Sequence, residues 1–244
     1  MNALTADELV AGSESLIVTA DRDGTRILIL NRPRVRNAMS MDLRRAYAAL
    51  VAEAESDERV RVLVVTGAAG NFSAGVDLKD MRANPGRPYF RPHPGEATRA
   101  LTKPVIAAVD GNCVTGGLEL ALSCSFIVAS DRARFADTHA KVGLFPAWGQ
   151  SALLPRAIGT RRARQMSLTG EFIDSRTACA WGLVNELTTP ERLLPRCLEL
   201  AAAMQACDAQ SVRWQLEIMK QNDGAPLQAA LDAEEAAVQR WRAR

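Results

Sequence analysis

Two short runs rich in aliphatic and β-branched residues, 15–20 and 26–31, open the pattern. "DRDG" (21–24) lies between them, so the pair predicts a β-hairpin with Gly24 in its turn. "NRPRVRNAMS" (31–40) reads as a loop ending at Ser40, a plausible helix N-cap. Leu43, Tyr47, Leu50, Val51 and Ala54 then recur at helical spacing. Three compact apolar runs, "RVLVVTG" (61–67), "PVIAAVDG" (104–111) and "SFIVAS" (125–130), predict buried strands. An apolar helix fits between the last two. Strands alternating with helices indicate an α/β fold with crossover connections.

The stretch 79–103 is too long and polar for a tight connection. Prolines 85, 88, 92 and 94 and glycines 86 and 95 predict that it is irregular. From about residue 150 the pattern turns almost wholly helical, with candidates at 150–157, 160–169, 174–181, 190–206, 209–221 and 226–242. The last carries Leu227, Leu231, Val238 and Trp241, an apolar set that suggests self-association.

Composition narrows the picture only a little. The 244 residues are 48% apolar and 24% charged, enough to build a core, and a net charge of +2 offers no bulk attraction for a polyanion. No basic stripe interleaved with aromatics points to nucleic acid. Cysteines 113, 124, 179, 197 and 207 form no CxxC pair, so they read as reduced thiols of a cytoplasmic protein rather than a disulfide or zinc framework. "MNALTADELV" lacks the basic and apolar regions of a signal peptide. The apolar stretch 104–130 is broken by Asp110 and Glu119 and makes a poor membrane span.

Two glycine-bearing turns carry the candidate chemistry. In "NFSAGVDLKDM" (71–81), Gly75 can take positive φ and let a ligand approach exposed N–H groups. In "DGNCVTGGLELALSCSF" (110–126), glycines 111, 116 and 117 precede a helix start, whose free N–H groups suit an anion or a polarised carbonyl oxygen. Glu119 lies in the first turn of that helix, inside a very apolar stretch, where desolvation raises a carboxyl pKa toward proton-transfer use. His139, in "DTHAKVG" (137–143), is one of two histidines in the chain. Trp148 either borders the pocket or packs.

Together with "LNRPRVRNAMS" (30–40), "GLFPAWGQSALLPRAIG" (143–159) and "LTGEFIDSRTACAWGLVNEL" (168–187), these motifs resemble the crotonase (enoyl-CoA hydratase/isomerase) superfamily over nearly the whole chain. The resemblance implies a spiral of ββα units over 1–190, a helical trimerisation region over 191–244 and an acyl-CoA thioester as ligand. It implies that the N–H groups of Val76 and Gly116 form an oxyanion hole. Ala38 and Ala74 would meet the CoA adenine, with Asp77, Leu78 and Lys79 in the same binding segment and Arg36 near the CoA phosphates. No metal or redox cofactor is implied. Related hydratases flank the substrate with two glutamates. Glu119 matches one, and His139 stands where the other would be. The expected reaction is hydration of a trans-2-enoyl-CoA, with Glu119 handling the water and His139 donating or orienting. Asp137 is expected to point away from His139, on the opposite side of an extended backbone. Double-bond isomerisation, other reactions of the superfamily and a non-catalytic acyl-CoA binder are the alternatives. A trimer or dimer of trimers is expected.

Overall fold

A computed structural model describes residues 4–84 and 91–242. The chain opens with a short helix, α1 (Ala6–Val10), and then the hairpin β1 (Ile17–Arg22) and β2 (Thr25–Leu30). Their register closes on Arg22 opposite Thr25, which makes Asp23–Gly24 a two-residue turn, with both residues at positive φ. Helix α2 (Met41–Ser56) follows, with the Ser40 hydroxyl accepting from Leu43 N–H at its start. Strand β3 (Val62–Gly67), helices α3 (Leu78–Ala83) and α4 (Pro94–Ala100), strands β4 (Val105–Val109) and β5 (Asn112–Val114), helix α5 (Gly116–Leu122), and strands β6 (Phe126–Ser130) and β7 (Arg134–Ala136) come next. Beyond them lie α6 (Gln150–Ile158), α7 (Thr160–Thr169), β8 (Ile173–Asp174), α8 (Ser175–Trp181), β9 (Glu186–Thr188), α9 (Pro190–Gln205), α10 (Ala209–Asn222) and α11 (Leu227–Arg242).

Six strands form the main sheet in the order β1-β2-β3-β4-β6-β9, antiparallel at β1–β2 and parallel elsewhere. A small second sheet runs β5-β7-β8. Period-2 alternation splits the strand side chains between two apolar clusters. Leu28, Leu30, Leu63, Val65, Ala107 and Val109 face the cluster containing α2 and α5. Ile27, Ile29, Val62, Val64, Ile106 and Ala108 face the other, closed by Leu193, Leu194, Cys197 and Ala201 of α9. Covered on both faces, the parallel strands read in sequence as continuous apolar runs.

One expectation needs correction. The stretch 79–103 is not simply irregular. Asp77 caps α3, and His93 followed by Pro94 starts α4, both with side-chain-to-backbone bonds; residues 85, 86 and 88 lie outside the described residues. The region after 150 is almost wholly helical as expected, with α6 to α11 on the six candidate ranges; the short strands β8 and β9 interrupt it, and β9 pairs with β6 to extend the main sheet. α9, just past the expected division at 190/191, packs against the main sheet. Of the helices after residue 150, α10 and α11 have no buried residue, and Met219, Leu227, Leu231, Val238 and Trp241 are exposed on them. Among the described residues, no helix is long and apolar enough to cross a membrane.

Candidate active site

The carboxyl ends of β3 and β4 release two turns that run side by side, the place where open parallel sheets bind ligands. Asn37 holds the first turn. Fully buried, it donates from Nδ2 to the carbonyls of Ala68 (2.9 Å) and Asn71 (2.7 Å), while its own carbonyl accepts from the Ser73 hydroxyl at 2.8 Å. That hydroxyl in turn accepts from Gly75 N–H at 3.1 Å. Gly75 sits at φ +90°, and a Cβ there would lie 2.0 Å from Thr115 Oγ1 and 3.0 Å from Gly116 N. The second turn closes at Thr115, a β-branched residue held at φ 48°, ψ −116°. Such a conformation costs on the order of 1–3 kcal/mol and persists only where the surroundings impose it. Here Thr115 N–H donates to the Ala136 carbonyl at 3.0 Å and fixes the turn.

The two turns bring the N–H groups of Val76 and Gly116 together. A Cβ on Gly116 would lie 3.4 Å from Val76 N. Met39 pairs with the segment around Val76 through Gly75 O and Asp77 N, so the Val76 N–H faces away from that bridge. Gly116 is the first residue of α5, where a helix has no internal acceptor to offer. Among the described residues neither N–H has an acceptor. The Trp148 ring backs this pair, with Cζ3 3.0 Å from a Cβ position on Gly116. Trp148 is buried, stacked on His93 with ring centroids 5.5 Å apart, and Arg44 lies 5.9 Å from its ring centroid.

Glu119, 1% exposed, projects from α5 toward the start of α6. Its Oε1 accepts from the N–H groups of Trp148 (2.7 Å) and Gln150 (3.2 Å). Burial pushes its pKa above the usual carboxylate range, and these two bonds together with His139 only partly offset that. Oε2 lies 3.7 Å from Nε2 of His139, itself 7% exposed. On the other side of the imidazole, Nδ1 stands 2.7 Å from Asp137 Oδ1. The expectation that Asp137 turns away from His139 is therefore wrong, since residues two apart share a face even on an extended strand. The chain leaves β7 at Ala136 and bends into a 3₁₀ turn over Ala140–Val142, so the Asp137 carboxylate folds back and also accepts His139 N–H at 3.2 Å. Asp137 and Glu119 approach opposite nitrogens of one ring and cannot converge on a single ion. Among the described residues no cluster of metal-binding side chains occurs.

The remaining candidates lie along the rim. Arg36 is exposed, and its carbonyl accepts from Ala74 N–H at 2.9 Å, tying it to the first turn. The carbonyl of half-buried Ala38 accepts from Arg32 at 2.5 Å. Asp77 holds backbone: it caps α3 through Lys79 N–H and Asp80 N–H and pairs with Arg32 at 2.8 Å. Burial alone would raise the Asp77 pKa, but the Arg32 and backbone hydrogen bonds bring it below the usual range. Leu78 is half-buried and Lys79 exposed. Sequence reasoning did not single out Asn37, His93, Arg99 or Gln150. Arg99 donates to both the Ser123 hydroxyl (2.7 Å) and the Trp148 carbonyl (3.0 Å), clamping the loop that supplies the Glu119 donors. Only the Asn37 turn left a local signal, as part of the first motif.

A family model described as enoyl-CoA hydratase/isomerase matches residues 22–243. A probable peroxisomal enoyl-CoA hydratase of Arabidopsis thaliana is 37% identical over 199 residues, 79% of this chain and 74% of the relative. The crystal structure of an enoyl-CoA hydratase from Mycobacterium avium is similar with a TM-score of 0.79 at 40% identity, covering 92% of this chain and 96% of that one. One from Bacillus anthracis reaches a TM-score of 0.87 at 28% identity, covering 92% and 90%.

Proposed function

The chain belongs to the enoyl-CoA hydratase/isomerase family of crotonase-fold enzymes, and from that premise we propose that it adds water across the 2,3 double bond of a trans-2-enoyl-CoA. The observation that carries the reading is the meeting of two acceptor-free N–H groups, Val76 and Gly116, with a buried Glu119–His139 pair.

Water oxygen bonds to C3, the π electrons move onto the thioester oxygen as an enolate, and C2 then takes a proton. The product is a 3-hydroxyacyl-CoA. The Val76 and Gly116 donors stabilise the enolate oxygen, one such donor contributing roughly 3–4 kcal/mol. Glu119 and His139 exchange the protons, each transfer contributing about 10²–10⁴-fold. Arg36 and Lys79, exposed at the rim, serve the CoA phosphates, and the segment Ala74–Lys79 with Ala38 borders the adenine. The chemistry needs neither metal nor redox cofactor. The uncovered apolar faces of α10 and α11 serve self-association into a trimer or dimer of trimers, and the setting is the cytoplasm.

The test is a product assay with crotonyl-CoA and a 3-enoyl-CoA side by side. Formation of 3-hydroxybutyryl-CoA from the first supports hydration. Turnover of the 3-enoyl-CoA alone would make the enzyme an isomerase, and binding without turnover of either would make it a carrier.

A further inference from the structure

The two histidines are held in opposite ways. His93 Nδ1 accepts from Glu96 N–H at 3.1 Å as the cap of α4, so its neutral ring carries the proton on Nε2. His139 Nδ1 instead meets a buried carboxylate, Asp137, at 2.7 Å. Burial works to raise the Asp137 pKa, but hydrogen bonds from the His139 ring, from Ser167 and from the His139 amide outweigh it and hold the carboxyl below the usual range. An ionised carboxylate has no proton to give, so Nδ1 must donate. In the neutral ring the lone pair then sits on Nε2, facing Glu119 Oε2 across 3.7 Å. Glu119 Oε1 is already occupied by two N–H groups, so a proton on this carboxyl would sit on Oε2. A 3.7 Å gap is too wide for a direct bond, yet one water set to the side reaches both atoms at about 2.8 Å.

We infer that Asp137 is a positioning residue that fixes His139 with Nε2 as proton acceptor, making His139 the base for the water and Glu119 the acid for C2. The inference rests on the hydratase reading and reverses the roles expected from the sequence. Water loses a proton to Nε2 as its oxygen bonds to C3. Oε2–H then gives its proton to C2 of the enolate. The proton on Nε2 returns to Oε2 through the next water, and the site is restored. The logic is that of a base oriented by a third group.

The experiment uses the full-length enzyme labelled with ¹⁵N-histidine. With only two histidines in the chain, His139→Gln assigns both rings. Long-range ¹H–¹⁵N spectra should show the proton on Nδ1 of His139 and on Nε2 of His93. Asp137→Asn, whose amide can donate to Nδ1 and reverse the tautomer, should lower kcat about 10²-fold with KM within about threefold, a loss confined to the transition state. In a His139→Gln background the same change should lower kcat no further. A proton on Nε2 of wild-type His139, full kcat in folded Asp137→Asn, or an equal loss in both backgrounds would overturn the inference. If Asp137→Asn does not fold, the wild-type spectrum decides. Failure of the hydratase reading shows separately, as absence of 3-hydroxyacyl-CoA from the wild-type enzyme, and the base assignment falls with it.

Discussion

Alanine at position 75 is the sharpest probe of the proposed oxyanion hole, because it leaves every functional atom in the chain and only moves two of them. A Cβ there would lie 2.0 Å from Thr115 Oγ1, 2.9 Å from the Val114 carbonyl oxygen and 3.0 Å from Gly116 N. Comfortable contacts need roughly 3.5 Å. The threonine hydroxyl can rotate, but the other two atoms are backbone, so the turns must part by about 0.5–1 Å. Val76 and Gly116 belong to opposite turns and would no longer converge on one oxygen. A misplacement of about 1 Å can lose ~10²-fold in rate, close to the loss of one oxyanion donor. We therefore expect Gly75→Ala to lower kcat on crotonyl-CoA by about 10²-fold. Overpacking together with the left-handed backbone should destabilise by about 2–5 kcal/mol. Gly12→Ala is the matched control. Gly12 has φ +75° with no atom within 4 Å of a Cβ, so it should show the backbone strain alone, about 1–2 kcal/mol, with unchanged kcat. The assay is steady-state hydration alongside Tm and circular dichroism. A folded Gly75→Ala enzyme with kcat within twofold of wild type would remove the Val76–Gly116 pair from the mechanism.

Glu119→Gln should reduce kcat by about 10²–10⁴-fold while acyl-CoA binding persists, as read by kinetics and calorimetry. It should also change stability in a pH-dependent way. The folded pKa of Glu119 is raised by burial, so its contribution is full below the unfolded value near ~4.3 and is lost as pH rises through the folded value. The Tm of the glutamine variant should therefore gain on wild type between pH 5 and pH 8, and an unchanging difference would contradict the burial argument. Gly116→Pro removes an N–H donor and should be inactive even where circular dichroism shows a native fold. His139→Glu alone should hydrate poorly, since the new carboxylate faces ionised Asp137, and adding Asp137→Asn should recover activity. Equal kcat in the single and double variants would refute that. Light scattering at micromolar concentration should give a mass three or six times 26.4 kDa, and a monomer mass would leave the α10–α11 faces without their proposed role.

The main strands and most helices were legible because burial on two faces writes continuous apolar runs, and α2 announces itself through Ser40 and a 3.6-residue stripe. What was missed has physical reasons. Strands β5, β7, β8 and β9 have two or three residues each, too few for any period to register. β9 is held by pairing with β6 rather than by its own pattern. α3 and α4 are set by side-chain caps, Asp77 and His93, that compete with a proline-rich background. The apolar positions of α9 look like those of α10 and α11, and only the sheet reveals that α9 has a partner.

In the site, backbone donors were more legible than side-chain roles. A glycine that must take positive φ, or must let another turn approach, leaves a residue-type trace in the sequence. A carboxylate that bends back on its own chain leaves none. Asp137 and His139 are two apart, a spacing that puts side chains on one face of a strand but about 6–7 Å from each other, and that a turn brings into contact. The strand ends at Ala136, one residue before the pair, so a single peptide decides between the two outcomes. That boundary is below the resolution of any periodicity argument. It is also what converts His139 from a lone substitute for a glutamate into the middle member of a chain, Asp137–His139–Glu119, whose polarity follows from which member has no proton to give.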